Sequence, residues 1–580
     1  MRVNVNQEPS VSGGFSFDRS FTQGPDPNRA TATAGDGMAS FLLGVGSGSL
    51  TRGFNTATRS PYYAFYAADD WKVTRKLTLN LGLRYGLDVP YTERFNRANI
   101  FDPGVASPLA GPARLPGLTG GLRFLGTGGT PPRGFDTDLT AWDPRIGFAY
   151  QALKNTVVRG GYGIFHAPSL RGAGRALGTT GFSSVTQFVA AVDGITPSNY
   201  LRDPFPGGLL PVPGAVEGLR TGVGAAISAQ LLGDNRVPYV QNWSFTIQHQ
   251  LPGALLVEAG YAGHLGLHLS ESSPNLNQLR PEQLQLGTGL QQRLPNPFLG
   301  LIATGPLAGS TVPRSNLIAG YPQFQSVAIQ FQTGATSSYH SFQLKAEKRF
   351  RSGMSFLLSY TAQKLIDDNS ATAVVGANAA IQNLYDRRSD RAVSANDVSQ
   401  FMVFSYVYEL PFGKGKRFGA NWIRPVGWVM GGWQINGIAN AAKGQPIGVV
   451  TQNTSGAGGS SLRPNNNGRS ARLDGPAGSR LTRFFDTSVF TQPAPFTFGN
   501  TGRLLPETRT AGVRNLDFSL FKNFRLRERA TMQFRGEAFN LTNTAQFGRP
   551  NSNMNVAQFG VISSQANSPR QIQLGLKLLF

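Results

Sequence analysis

In the stretch KLTLNLGLRYGLD, Leu77, Leu79, Leu81, Leu83, Tyr85 and Leu87 fall on one parity, and Thr78, Asn80, Gly82, Arg84, Gly86 and Asp88 on the other. Side chains of an extended strand point alternately to its two faces, so this is a strand with one greasy and one polar side. Unbroken alternation from Leu77 to Leu87 makes roughly 36 Å of strand, where an ordinary strand has about five or six residues. That length suits a tilted strand crossing a bilayer. The chain also ends on the pattern: in RQIQLGLKLLF, Ile572, Leu574, Leu576, Leu578 and Phe580 alternate with Gln571, Gln573, Gly575 and Lys577. A terminus ordinarily frays. Here the spacing predicts a strand, with Phe580 near a membrane boundary.

The pattern recurs in pairs. Residues 62–73 are aromatic-rich and return through a turn at Thr74 and Arg75, although Asp69 shares the parity of Tyr63, Phe65 and Trp71, which requires a bulge or a position beyond the apolar zone. Further strands are expected at 144–165 (a hairpin around Lys154 and Asn155), 240–269 (split at Pro252), either side of Arg351–Gly353, at 399–412, at 431–450, and in VRNLDFSLFKNF and ATMQFRGEAFNLTN. The total is about 14 to 16 strands. Between them lie long Gly-, Pro-, Asn- and Ser-rich stretches near 88–142, 166–236, 270–336, 363–397 and 452–509. Tight turns alternating with long loops describe a lopsided antiparallel barrel, read as a single all-β domain over residues 1–580 with long external loops. An unpaired sheet edge in hydrocarbon is costly, so the last strand is expected to pair, with the first strand as its partner.

Composition bounds the alternatives. The 71 Gly and 37 Pro favour turns over helices, and the absence of cysteine excludes disulfides, thiolate metal sites and cysteine nucleophiles. No apolar run reaches the length of a membrane helix. The net charge of +22 is spread along the chain; its densest stretch, KNFRLRER at 522–529, is short and contains Glu528, so no basic arm for nucleic acid is present.

Several stretches carry a family resemblance: FSFDRSFTQGPDP (15–27), MASFLLG (38–44), residues 62–103 with DDW and LTLNLGLRY, WDPRIGFAY (142–150), VRNLDFSLFKNFRL (513–526), FRGEAFNLTNTAQFGRPN (534–551) and the terminal strand. With these the chain resembles the barrel portion of TonB-dependent outer-membrane receptors, in particular the Oar-like group. The resemblance implies a 22-stranded transmembrane β-barrel in the outer membrane of a Gram-negative-type bacterium, assembled by the barrel-assembly machinery through its terminal aromatic. It implies uptake of a scarce solute, energised through TonB. Such receptors carry a signal peptide, a TonB box and a plug, whereas MRVNVNQEPSVSGGFSF begins on strand-like sequence. The chain therefore reads as the C-terminal part of such a receptor, N-terminally incomplete and lacking signal peptide and plug, with TonB a partner only if an upstream plug and box exist. A structural or adhesive surface barrel and a passive outer-membrane channel are the alternatives.

Candidate membrane-interface aromatics are Tyr62, Tyr63, Phe65, Tyr66, Trp71 and Phe580. Candidate lumen-facing residues are Asn80, Arg84, Asp88, Arg535, Glu537, Gln571, Gln573 and Lys577; Arg84 and Arg535 would favour an anionic or polyhydroxylated solute, or pair with Asp88 and Glu537. His264 and His268 share parity but lie about 13 Å apart along a straight strand, too far for one metal ion. Asp367, Asp368, Asp386, Asp390 and Asp397 lack cation-loop spacing and read as a solvated external loop beside Arg387, Arg388 and Arg391. GVGSGS (44–49) and FGKGKRF (412–418) lack the full phosphate-loop spacing and read as turns. With no GxSxG or HExxH, no catalytic, cofactor or metal residues are expected, and the chain reads as a non-enzyme.

Overall fold

A computed structural model describes the chain except for residues 1, 6–11, 24–34, 168–177, 192–195, 234–235, 272, 304, 370–380, 460–461 and 528–529. Residues 24–27 of the first resemblance stretch and Glu528 thus lie outside the described residues. Among the described residues the alternating segments form one antiparallel meander of thirteen long strands, each hydrogen-bonded to its neighbours in chain order. They are β1 Tyr62–Lys72, β2 Leu77–Asp88, β3 Trp142–Leu153, β4 Thr156–His166, β5 Tyr239–Leu251, β6 Leu255–Leu269, β7 Ala335–Arg351, β8 Met354–Asp367, β9 Gln400–Glu409, β10 Trp433–Ala442, β11 Val513–Arg527, β12 Ala530–Phe539 and β13 Gln571–Leu579. A short strand, Ala392–Val393, pairs with the end of β8 and brings the sheet to fourteen.

Connections differ sharply between the two ends. At one end the chain turns in a few residues; between β7 and β8, Ser352 and Gly353 both take positive φ, the geometry of a two-residue hairpin whose twist matches its strands. Among the described residues, the one long connection at this end is 410–432, between β9 and β10. The opposite end carries 89–141, 167–238, 270–334, 368–399, 443–512 and 540–570.

The register keeps one parity across the whole sheet. Trp71 opposes Leu79, Leu79 opposes Phe148, and the row continues through Gly160, Phe245 and Tyr261 to Phe342. Further along, Leu358, Phe404, Ala439 and Leu516 form such a row, and Phe534 opposes Leu576. This side is the leucine face; the other is the polar face. No bulge interrupts β1 against β2, so Asp69 sits on the leucine face opposite Leu81, close to the 73–76 turn.

A soluble sandwich would seal such leucines between stacked sheets. Here, among the described residues, Ala335 is the only buried hydrophobic residue in the thirteen strands; Leu81 is 39% and Leu576 70% exposed. The hydrophobic cores lie in the long connections instead. Phe101, Leu122, Ile227, Phe324 and Val327 join three of them, and Ile447, Val449, Phe484, Phe485, Phe490 and Ile562 join two others. The long loops are therefore packed bodies at one end of the sheet.

One expectation is corrected. The last strand does not pair with the first: among the described residues, β1 and β13 each have a single long neighbour. The strand count explains this. In an antiparallel meander all odd-numbered strands run the same way, so β1 and β13 are parallel and cannot meet in the antiparallel seam of a bacterial outer-membrane barrel.

Candidate functional site on the polar face

Two adjacent cross-strand rows shape the polar face of β1–β7. One contains Ala68, Gly82, Arg145, Gly163, Asn242, His264 and Tyr339; the other contains Asp70, Asn80, Gly147, Gly161, Ser244, Ala262 and Ser341. Because small residues alternate with long ones, a groove of about 570 Å³ opens along them, floored by Gly82, Gly147, Gly161 and Gly163. A Cβ at Gly163 would come within 3.0 Å of the Phe165 ring, so glycine there lets the ring lie flat against the strand. The walls mix apolar rings with polar tips. Arg145 lies 4.6 Å from the Phe165 ring centre, His264 stacks on Tyr339 at 5.1 Å, the Tyr339 hydroxyl donates to Gln363 Oε1 at 2.7 Å, and Asn80 Nδ2 donates to Asp70 Oδ1 at 2.5 Å.

Toward the long loops the groove meets a charged cluster. Asp143, nearly fully buried, accepts from Arg84 Nη1 at 2.7 Å and from the backbone N–H of His166 at 2.9 Å, and its Oδ1 lies 2.7 Å from His166 Nδ1. Arg84 also donates to the Tyr62 hydroxyl. Beyond it a second cavity of about 570 Å³ is lined by Asp136, Asp138, His166, Arg236, Tyr239 and His268. Burial, the largest influence on Asp138, pushes its carboxyl up, but hydrogen bonds from the Thr140 hydroxyl and the N–H groups of Val237 and Thr140 outweigh it and hold the carboxyl below its ordinary value.

The residues expected to face the lumen share the polar parity. Asn80, Arg84 and Asp88 stand on β2 opposite Asp70, Tyr66 and Tyr62. Arg535 and Glu537 on β12 oppose Gly575 and Gln573, Lys577 opposes Gln533, and Gln571 opposes Phe539. The two groups stand at opposite edges of the sheet. Neither expected ion pair is the one that forms: Arg84 pairs with Asp143, and Arg535 donates to Gln533 Oε1 at 2.6 Å and lies over the Phe521 ring. Asp143 was visible in WDPRIGFAY, but only register reveals what it holds.

The aromatic stripe divides. Tyr63, Phe65 and Trp71 stand on the leucine face, whereas Tyr62 and Tyr66 oppose Asp88 and Arg84 and belong to the polar face. A two-residue period cannot put adjacent Tyr62 and Tyr63 on one side. Phe580 is 95% exposed, one residue past the short-turn end of β13.

The acidic loop is also corrected. Asp367, Asp390 and Asp397 are buried and ion-paired with Arg503, Arg463 and Arg509 of the 443–512 connection, at 3.0 Å for Arg463–Asp390 and 2.6 Å for Arg509–Asp397. Burial pushes the Asp390 carboxyl up, with the Arg463 guanidinium pulling the other way. These ion pairs tie two loops together; spacing along the chain carries no trace of the partners, which lie 73 to 136 residues away. Among the described residues no group of three or more His, Asp or Glu side chains is arranged to hold a metal ion.

Solved structures similar to this chain include the outer membrane transporter YddB from Escherichia coli (9% identity, TM-score 0.41, covering 92% of this chain and 50% of that one). The ferric-catecholate import receptor Fiu from Escherichia coli K12 matches at 10% identity and a TM-score of 0.37, covering 92% and 50%. The siderophore receptor PiuA from Acinetobacter baumannii matches at 9% and 0.37, covering 91% and 46%. The chain thus spans half or less of the length of these solved chains. No curated protein matches it. A family model described as an outer membrane beta barrel domain matches residues 1–573, nearly the whole of the two-faced sheet and its loops, and the chain belongs to that family.

Proposed function

We propose that this chain is the translocating wall of an outer-membrane transport receptor of the Oar-like, TonB-dependent kind, in which the leucine face meets lipid and the polar face lines the path of a scarce solute. The single observation that carries the reading is the unburied leucine face running in register across thirteen strands. In water that surface would be a large exposed apolar patch; against acyl chains it is the favourable arrangement. The loop bodies at one end would capture the solute, and the glycine-floored groove would guide it. Rings beside Asn, Arg and His tips suit a polyhydroxylated or anionic solute. Where a plug and TonB box accompany this wall, they would gate the path, with twenty-two strands in the closed wall of the complete system. Its role is transport, with no catalytic step.

Uptake of labelled oligosaccharides, peptides and metal chelates by cells carrying or lacking the gene, each with and without TonB, tests this. Uptake that requires both the gene and TonB is expected. Gene-dependent uptake that survives loss of TonB would identify a passive channel. Unchanged uptake with loss of surface attachment would identify an adhesive barrel.

A further inference from the structure

The long connection at the short-turn end, 410–432, does not behave like the tight turns around it. It contains FGKGKRF and ends in a helix, Arg424–Met430, whose sequence RPVGWVM carries one charge. Ile423, Trp428, Val429 and Met430 are each at least half exposed, and Phe412, Phe418 and Trp422 are exposed beside them. Soluble surfaces rarely leave so many large apolar groups together.

The helix is docked onto the leucine face. Trp428 packs on Phe524 with ring centres 4.7 Å apart, and Phe524 shares its parity with Phe518 and Leu520. Lys522, on that face and almost fully buried, donates its ammonium protons to the carbonyls of Val429 (2.9 Å) and Gly431, so it caps the helix C-terminus. Trp433 Nε1 also donates to the Val429 carbonyl at 2.9 Å. The apolar surface of the helix is therefore continuous with the leucine face at its short-turn rim. Basic residues flank it in sequence, Lys414, Arg417 and Arg424, with Lys416 ion-paired to Glu409 at 2.5 Å. Lys72, Arg75, Lys76, Lys154, Lys348, Arg349 and Arg351 stand at or beside the neighbouring turns of the same rim.

We propose that residues 412–430 form an interfacial anchor that lies in the headgroup and upper acyl region of the leaflet at the short-turn end and selects anionic phospholipid. Tryptophan rings seat at that depth with the indole N–H in the wet layer, and the cations gather phosphate-bearing headgroups. The inference rests on the leucine face meeting lipid.

The test uses the full chain folded into phosphatidylcholine vesicles, with and without phosphatidylglycerol, and lipids brominated at shallow or deep acyl positions. Emission of Trp422 and Trp428 is obtained by difference from a Trp422→Phe, Trp428→Phe variant, which keeps an aromatic ring against Phe524. Quenching about twofold stronger by shallow than by deep bromines is expected for an interfacial helix. Brominated phosphatidylglycerol should be enriched around these residues by about fivefold for each surface cation engaged, and Lys414→Glu with Arg417→Glu should abolish the enrichment. If Trp422 and Trp428 resist brominated lipid and are quenched by aqueous acrylamide while Trp243 and the other tryptophans respond to lipid, the anchor is refuted and the surface serves a soluble partner. If no tryptophan responds to lipid, the lipid-facing reading of the leucine face fails as well.

Discussion

Leu344 and Gln343 are adjacent on β7 and face opposite ways. Leu344 opposes Ala259 and Tyr360 on the leucine face, and Gln343 opposes Gly260 and Thr361 on the polar face. On the leucine face the first cation toward the short-turn end is Lys348, four residues on, since Lys345 takes the polar parity. At about 3.3 Å per residue and a tilt near 45°, Leu344 lies roughly 9 Å inside that rim, close to the middle of an apolar band about 25 Å tall. An arginine facing lipid there costs about 2–4 kcal/mol, so Leu344→Arg is expected to lower the folding equilibrium constant roughly 30- to 700-fold. Gln343→Arg, beside Gly260 and facing a wet interior, is expected to change it by less than about 0.5 kcal/mol. Urea titration of the chain folded in phospholipid vesicles, followed by tryptophan emission in both directions, measures both. Equal effects, or a larger effect of Gln343→Arg, would refute the face assignment. So would a wild-type chain that folds reversibly as a compact monomer in buffer without detergent or lipid.

Three further outcomes follow from particular contacts. Asp390→Ala leaves the buried Arg463 guanidinium without its carboxylate and should destabilise the loop body by about 3–5 kcal/mol, read as accelerated proteolysis within 443–512, while Asp390→Leu with Arg463→Met should recover most of the loss. The lowered Asp138 carboxyl contributes stability that is fully present above its unfolded value of 3.8 and lost as pH falls through its lower folded value; hydrogen exchange at the Val237 amide, whose proton Asp138 accepts at 3.0 Å, should therefore accelerate only below that range, and acceleration near neutral pH would contradict the sign. Filling the groove floor with Gly147→Phe should reduce gene-dependent solute uptake about tenfold if the groove is the path, with the urea midpoint in vesicles little changed.

Strands were legible because their period is local. The hairpins around Lys154–Asn155 and Arg351–Gly353, and the terminal strand from Gln571, stand where alternation places them, since parity needs only the residue two positions away. What sequence could not supply is anything fixed by register or by distant partners. Tyr62 and Tyr66 look like part of one aromatic stripe with Tyr63 and Phe65, yet lie on the other face. Asp390 looks like a solvated loop carboxylate, yet is buried against Arg463. Arg84 pairs with Asp143 and not with Asp88, four residues along its own strand on the same face, because β3 brings Asp143 level with it. The glycine-floored groove needs five strands aligned in register before Gly82, Gly147 and Gly163 become neighbours of Asn242 and His264. The rim helix Arg424–Met430 carries no sequence signal of its own, because FGKGKRF before it is full of turn residues and its apolar run is too short to register as a span.

Lipid on the leucine face leaves the two edges of the sheet to be explained. About half the backbone N–H and C=O groups of β1 and β13 point away from the sheet, and each costs several kcal/mol if left unpaired in hydrocarbon. Two closures satisfy them with antiparallel seams. One adds an odd number of strands from further sequence of the same protein, and nine would give twenty-two. The other joins two copies about a two-fold axis perpendicular to the strands, pairing β1 with β1 and β13 with β13 into twenty-six strands, with the second copy inverted so that its long loops lie at the opposite membrane face. The chain has no cysteine, so a single Gln573→Cys on β13 reports the seam without background. A receptor closed by its own strands should give no disulfide-linked dimer in vesicles under oxidation. An efficient dimer at that position, absent for Asn80→Cys in the second strand, would establish the two-copy wall and overturn single-chain closure.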